Sequence, residues 1–268
     1  KTHRFRLVVR IVTGALVFSS VAVAQELTTI KLNQPNKTRG RPLMETLAIR
    51  ASATEWSEKE LSLQDLSDLL WAANGINRPD IGKRTAASAQ NAQDIDIYVF
   101  NKDGAYLYDA RAHVLVPVAA GDLRAQIVPP RRPPPRPDAQ TQPPSTPAAP
   151  APPSQPSPGT GQARGPAAAT QPQAPVLLLL VSDVSRFRSG TQELRREWGA
   201  IDAGIVSQNI ALFCASTGLA TRPRASMDRE KSKAILKLTE NQYPLLITPW
   251  DIQNNPWIEH TYPGNLTA

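Results

Sequence analysis

The sequence predicts an α+β domain, and three observations carry that reading. Ile95, Ile97 and Val99 alternate with Asp96, Tyr98 and Phe100, meet the turn signal Asn101-Lys102-Asp103-Gly104, and are answered by a run from Ala105 to Ala110. A period of two broken by such a turn reads as an antiparallel hairpin. Leu177 to Val181 is apolar without a break, as expected of a strand covered on both faces. Two further stretches carry the helical period instead, one from Leu63 to Ala73 and one from about Glu193 to Thr217.

In chain order, residues 1–24 read as a secretory signal. A basic start (Lys1, Arg4, Arg6) leads into an apolar run that ends Ala22-Val23-Ala24, small residues standing at −3 and −1. Arg10 leaves only 11–24 uncharged, short of the ~20 apolar residues of a membrane-spanning helix. The protein is therefore expected to be exported, periplasmic or secreted, an uncleaved membrane anchor being the alternative. Residues 25–42 form an N-terminal extension before a domain whose first part is 43–127. Ser62 precedes Leu63, Leu66, Leu69, Leu70 and Ala73, with Asp65 three positions on and Gly75 as a stop; this is a capped amphipathic helix. After the hairpin, His113 to Val118 suggests a third short strand.

Residues 128–175 hold 17 of the 26 prolines, the rest being mostly Ala, Gln, Ser, Thr and Arg. Such a composition samples extended polyproline conformations and buries too little to fold. It separates two strand-like pieces, so it reads as an insertion in one domain, a spacer or a Pro-motif ligand, with 176–250 as the domain's second part. The second half of the long helix (Ile205, Val206, Ile210, Leu212, Phe213, Cys214) is apolar nearly all round, which suits a helix at the centre of a core or a subunit interface. Gly218 is a natural C-cap. Asp228 to Leu238 reads as another helix, Leu245 to Thr248 as a last strand, and 251–268 as a tail.

Composition narrows the function classes. The net charge of +7 lies in the signal (Lys1, Arg4, Arg6, Arg10) and the insertion (Arg131, Arg132, Arg136 and Arg164 against Asp138), so the folded body is close to neutral. Duplex nucleic-acid binding by a basic domain is set aside. One cysteine and three histidines, one of them in the signal, make an intramolecular disulfide impossible and a metal centre unexpected. Cys214 reads as a core residue. His113 and His260 have no carboxylate at a telling spacing. Neither a Gly-rich phosphate loop nor Gly-x-Ser-x-Gly occurs.

One set of motifs goes further. The stretch Ile49-Arg50-Ala51-Ser52-Ala53-Thr54-Glu55-Trp56 is followed by Leu70 to Pro79, then by Arg84-Thr85-Ala86-Ala87-Ser88-Ala89-Gln90-Asn91-Ala92-Gln93. Their order and spacing resemble the flavin-dependent nitroreductase family. Ile97 to Val99 and Asp103 to Tyr108 look like its thiazoline/oxazoline dehydrogenase branch. Asp202 to Asn209 with Gly218-Leu219 is similar to the family's long dimer helix. The resemblance implies a nitroreductase-like fold, a central mixed sheet flanked by helices, in a homodimer that binds FMN at the subunit interface. It implies an oxidoreductase acting on a small molecule, with NAD(P)H as a candidate donor. Arg50 and Ser52 match positions that hold the flavin phosphate or ribityl chain. Ser88, Asn91 and Gln93 match the loop lining the ring, and Ser226 falls in the Arg222–Asp228 loop whose backbone approaches flavin N5. No side chain is implied as a catalytic acid or base.

Departures from the family pattern define a second reading. Thr54 stands where a second basic residue is usual, Ala87 replaces a Pro, the usual Gly is missing from Thr248-Pro249-Trp250-Asp251, and no Lys or Arg follows Lys237. Arg84, Arg222 or Arg224 would have to supply the missing charge. Otherwise the chain is a non-catalytic member of the cell envelope that kept the dimer fold and lost tight flavin binding.

Overall fold

The computed structural model describes residues 27–54, 56, 61–128 and 174–252. Residues 1–26, which include the expected signal, residues 129–173 of the Pro-rich stretch and the tail from 253 onward lie outside the described residues. The elements in order are β1 (Ile30–Lys31), α1 (Leu43–Ile49), α2 (Leu63–Asn74), β2 (Ile76–Arg78), β3 (Lys83–Arg84), β4 (Ile95–Phe100), β5 (Gly104–Asp109), β6 (Val114–Ala120), α3 (Arg124–Ile127), β7 (Val176–Asp183), α4 (Gln192–Thr217), β8 (Leu219–Thr221), α5 (Arg229–Leu236) and β9 (Gln242–Ile252).

Seven strands form one sheet in the order β1-β6-β5-β4-β7-β9-β8, and β2 and β3 form a separate small ribbon. The α+β architecture, a central sheet flanked by helices, is as the sequence implied. Every described pair is antiparallel, where a mixed sheet was implied. The reason is visible at β7, whose Leu177 pairs with Phe100: the chain re-enters at the end of the sheet where β4 leaves it.

Helices cover both faces. On one, Leu69, Leu70 and Ala73 of α2 and Val206, Ile210 and Cys214 of α4 pack on Ile95, Ile97, Val99, Leu178 and Leu180. On the other, Ile127, Met227 and Leu236 pack on Tyr98, Phe100, Leu177, Leu179, Val181 and Ile247. This explains the unbroken apolar run of β7, since successive side chains feed opposite cores. It also explains why Tyr98 and Phe100, on the expected polar side of β4, are buried. Asp96, the one acid in the strand, is held by Arg186 at 2.6 Å. Leu178, Leu179 and Leu180 are fully buried, and each such side chain contributes roughly 1.5–3 kcal/mol.

Local signals set the helix ends. Ser62 Oγ accepts the Asp65 N–H at 3.0 Å and donates to Asp65 Oδ2 at 2.6 Å, while Gly75 N–H closes α2 on the Trp71 carbonyl. Thr191 caps α4 through the Leu194 N–H at 3.3 Å, and Gly218 ends it at φ +74° with its N–H on the Cys214 carbonyl. The left-handed conformation there suits a residue without Cβ. The last strand is longer than expected, because Pro244 and Pro249 argue against a central strand. Pro244 sits where the register shifts against Leu180 and Val181, an irregularity of the kind at which a strand tolerates proline.

Candidate functional site

The sequence-derived site residues fall into two groups at opposite ends of α4. The first lies in the loop between β3 and β4. Gln90, Asn91 and Gln93 have φ of 54°, 54° and 49°, three left-handed residues within four positions and none of them Gly. Each costs of order 1–3 kcal/mol unless the surroundings fix it, and here they do. Ser88 Oγ accepts the Gln93 N–H at 2.9 Å. Arg84 Nε donates to Gln93 Oε1 at 2.9 Å, and Gln93 Nε2 donates to the Gly82 carbonyl at 2.9 Å. Arg186 binds the Gln93 carbonyl, and Gln90 is engaged by Ser189 and Arg188. Ser88 and Gln93 are thus brought together, but the Gln93 amide is spent on the loop itself. Asn91 stands at the tip, exposed. Burial pulls the Arg84 guanidinium below its ordinary pKa.

The second group lies beside β8. After α1 the chain runs past Thr221, whose carbonyl accepts the Ala53 N–H at 2.9 Å. Ile49 and Ala51 line a small cleft with Ala211, Cys214 and Ala215 of α4, and Arg50, Ala51 and Ser52 are all exposed. Arg222 directly follows Thr221 and is half-buried, so it is the reserve cation adjacent in sequence to that anchor. Arg84 belongs to the other group, and Arg224 is tied by backbone bonds to Ile247 of β9. Ser226 is exposed between β8 and α5, next to buried Met227.

The two groups do not meet within the chain. Asp202 of α4 touches the first, Ala215 the second, and thirteen helical positions separate them by about 20 Å at 1.5 Å each.

Several residues that the sequence did not single out complete the region. An open cavity of about 420 Å³ is lined by Trp71, Asn77, Thr85, Asn209 and Phe213 among others. Lys37 stands 5.2 Å over the Trp71 ring and Arg39 5.7 Å over Phe213. Beside the cavity, α1 leaves Met44 75% exposed and Leu43 59% exposed. Inside, Asp94 and Asp202 are buried next to Ser182. Burial, with Asp202 close by, pushes the Asp94 carboxyl up to about 7 against the Ser182 hydrogen bond. The usable signal was the spacing of Asp202, which shares a core-facing stripe with Val206, Ile210 and Cys214.

Comparison with known proteins gives a consistent result. The nitroreductase family pattern matches residues 48–249. A protein of Methanocaldococcus jannaschii assigned as a nitroreductase is 24% identical over 218 residues, covering 77% of this chain and 89% of the relative. A crystal structure from Ralstonia eutropha JMP134, also assigned as a nitroreductase, is similar at 29% identity and a TM-score of 0.65, covering 93% of this chain and 100% of the other. A chain of the Escherichia coli microcin synthetase McbBCD complex shares the fold, with 13% identity, a TM-score of 0.55, and coverage of 92% and 85%.

Proposed function

The chain belongs to the nitroreductase family, and on that premise we propose that it is an FMN-dependent oxidoreductase acting on a small molecule. The family supports flavin-type oxidoreductase chemistry in general. The observation that carries the reading in this chain is the loop at 88–93: left-handed backbone at Gln90, Asn91 and Gln93 is held by the side chains of Arg84, Ser88 and Arg186. Strain so fixed is characteristic of a binding loop.

The residues present fit the cofactor. Arg50 and Ser52 are exposed on a short segment, with Arg222 following the residue that anchors it. Two guanidinium groups and a hydroxyl suit a phosphate or ribityl chain. In this proposal Ser88 and Asn91 face the ring, Gln93 holds the loop in shape, and the backbone around Ser226 approaches the ring edge. FMN, when bound, supplies hydride chemistry. The chain binds and orients it, and no side chain is required as an acid or base.

Because the two groups stand apart in one protomer, the proposed site is completed across a homodimer through α4. Exposed Leu43, Met44 and Leu47 on α1 and Ile201 on α4 support such an interface. The proposal extends to export through residues 1–24, to a Pro-rich insertion at 128–175, and, on the motifs from Ile97 to Tyr108, to the thiazoline/oxazoline dehydrogenase branch.

The test is flavin itself. The purified full chain should be yellow and release FMN on denaturation. Arg50→Ala should weaken FMN by a charge-assisted bond, ~1.5–3 kcal/mol, or about ten- to a hundredfold. Thr54→Arg should tighten it. A chain that takes up no flavin, even with Thr54→Arg, refutes the enzyme and leaves the non-catalytic reading.

A further inference from the structure

Two carboxyl groups meet in the interior where the loop enters β4. Asp94 is 0% exposed and Asp202 2%. Ser182 of β7 donates its hydroxyl to Asp94 Oδ2 at 2.5 Å. The Ala89 N–H donates to both Asp202 oxygens, at 3.1 and 2.9 Å. Asp94 Oδ1 has no partner among the described residues. Gly199 of α4 makes the room, since a Cβ there would stand 3.4 Å from Asp94 Oδ2 and closer still to Ser182.

The charged groups on the surrounding elements are engaged elsewhere. Arg84 of β3 holds Gln93, and Arg186 holds Asp96 and Asp183. Arg188 binds the Gln90 carbonyl, Arg195 the Ser189 carbonyl, and Arg196 the Tyr243 hydroxyl. Glu197 lies on the same helix, α4. From α2 comes neutral Asn74, bonded to the Ile95 carbonyl. Two buried carboxylates facing no cation are strongly disfavoured. A single proton between them removes one charge and turns the orphaned Oδ1 into a donor.

We propose that Asp94 and Asp202 share one proton and act as positioning residues, holding the loop at 88–93 through the Ala89 N–H, so that losing the proton loosens the loop and weakens ligand binding there. Asp202 is the acceptor that fixes Ala89. With both groups ionised, repulsion drives Asp202 off the Ala89 N–H. The raised pKa of Asp94 agrees with this arrangement. Only the identity of the ligand rests on the flavin reading; the proton and the loop do not.

The test follows the full-length protein by carboxyl and amide NMR. One carboxyl of the pair should titrate near neutral pH. Ala89 amide exchange, corrected for base catalysis, should accelerate by up to about tenfold per pH unit on the approach to that point and level off above it, where the pair is fully ionised. Asp94→Asn supplies an N–H in place of the shared proton, so Ala89 should stay protected at every pH. Asp202→Asn should expose it at every pH. FMN affinity should fall with pH in the parent and not in Asp94→Asn. If both carboxyls titrate in the ordinary acidic range, or Asp94→Asn keeps the parent's pH response, the proposal is overturned. If Ala89 behaves as expected but no FMN binds at any pH, the flavin reading fails and the shared proton stands.

Discussion

Gly199→Ala opposes two effects whose sizes the structure can rank. In an exposed helix interior the change would stabilise by roughly 1 kcal/mol from propensity alone. At Gly199 the new Cβ would lie 2.9 Å from Ser182 Cβ and closer to Ser182 Oγ. Neither α4 nor β7 can retreat easily, because β7 is buried on both faces and α4 packs along it. Overpacking of this kind costs typically 1–3 kcal/mol. Turning Ser182 away sacrifices its hydrogen bond to Asp94, about 1–3 kcal/mol more with a buried acceptor left behind. The net expectation is destabilisation by about 2–3 kcal/mol, or a Tm lowered by roughly 5–10 °C for a body of this size. Gly204→Ala is the internal control, since a Cβ there meets nothing within 4 Å; it should be neutral or stabilising by up to about 1 kcal/mol. Urea unfolding with matched m-values measures both. If Gly199→Ala is as stable as Gly204→Ala, the close approach of α4 to Ser182 is wrong, and the room for the carboxyl pair goes with it.

Three further outcomes are expected. His113 accepts the Tyr108 hydroxyl at 3.0 Å and donates to the Asn33 carbonyl at 2.9 Å, and burial lowers its pKa below 6.5. Its contribution is therefore present above the unfolded pKa and lost as pH falls through the folded one, so the urea midpoint should drop in mild acid, less so in His113→Gln. Arg124 holds the Ala174 and Pro175 carbonyls at 3.1 and 2.7 Å; Arg124→Ala should cost about 1–2 kcal/mol and speed hydrogen exchange at the start of β7, whereas replacing 129–173 by a short turn should leave Tm nearly unchanged. Leu178→Ala, at a fully buried site, should cost about 2–5 kcal/mol in the same unfolding assay.

What the sequence revealed follows from how local each cause is. Ser62 with Asp65, the Asn101–Gly104 turn and Gly218 act within a few residues, and α2, the β4–β5 hairpin and the end of α4 appear where those signals place them. Short edge strands such as β1 and β8 carry two and three residues, too few for a period to show. The full length of β9 was hidden by two prolines, one at a bulge. At the candidate site, spacing brought Ser88 and Gln93 into one loop, but not the left-handed backbone at three non-Gly residues, which long-range contacts impose. Asp94 and Asp202 lie far apart in sequence and meet only because β4 and α4 pack together. Which reserve cation follows the anchor of the 50–53 segment was equally non-local: the Ala53–Thr221 bond brings that segment to Thr221, the residue before Arg222.

The pairing of β4 with β7 also bears on how the chain finds its fold. Strands β4, β5 and β6 follow one another through tight connections, so that meander forms from near neighbours. Tyr98 meets Leu179 only after a loop of about 80 residues closes, and about 45 of these belong to the Pro-rich stretch. Closure entropy grows as the logarithm of loop length, so the extra chain raises the search cost by only about 0.7 kcal/mol. A folding rate limited by that encounter would slow roughly threefold. With unfolding unchanged, the same factor appears at equilibrium as about 0.7 kcal/mol, a shift in Tm of only about 1–3 °C. The interruption would show in the refolding arm of a chevron, where the chain lacking 129–173 should overtake the intact one while both unfold at the same speed.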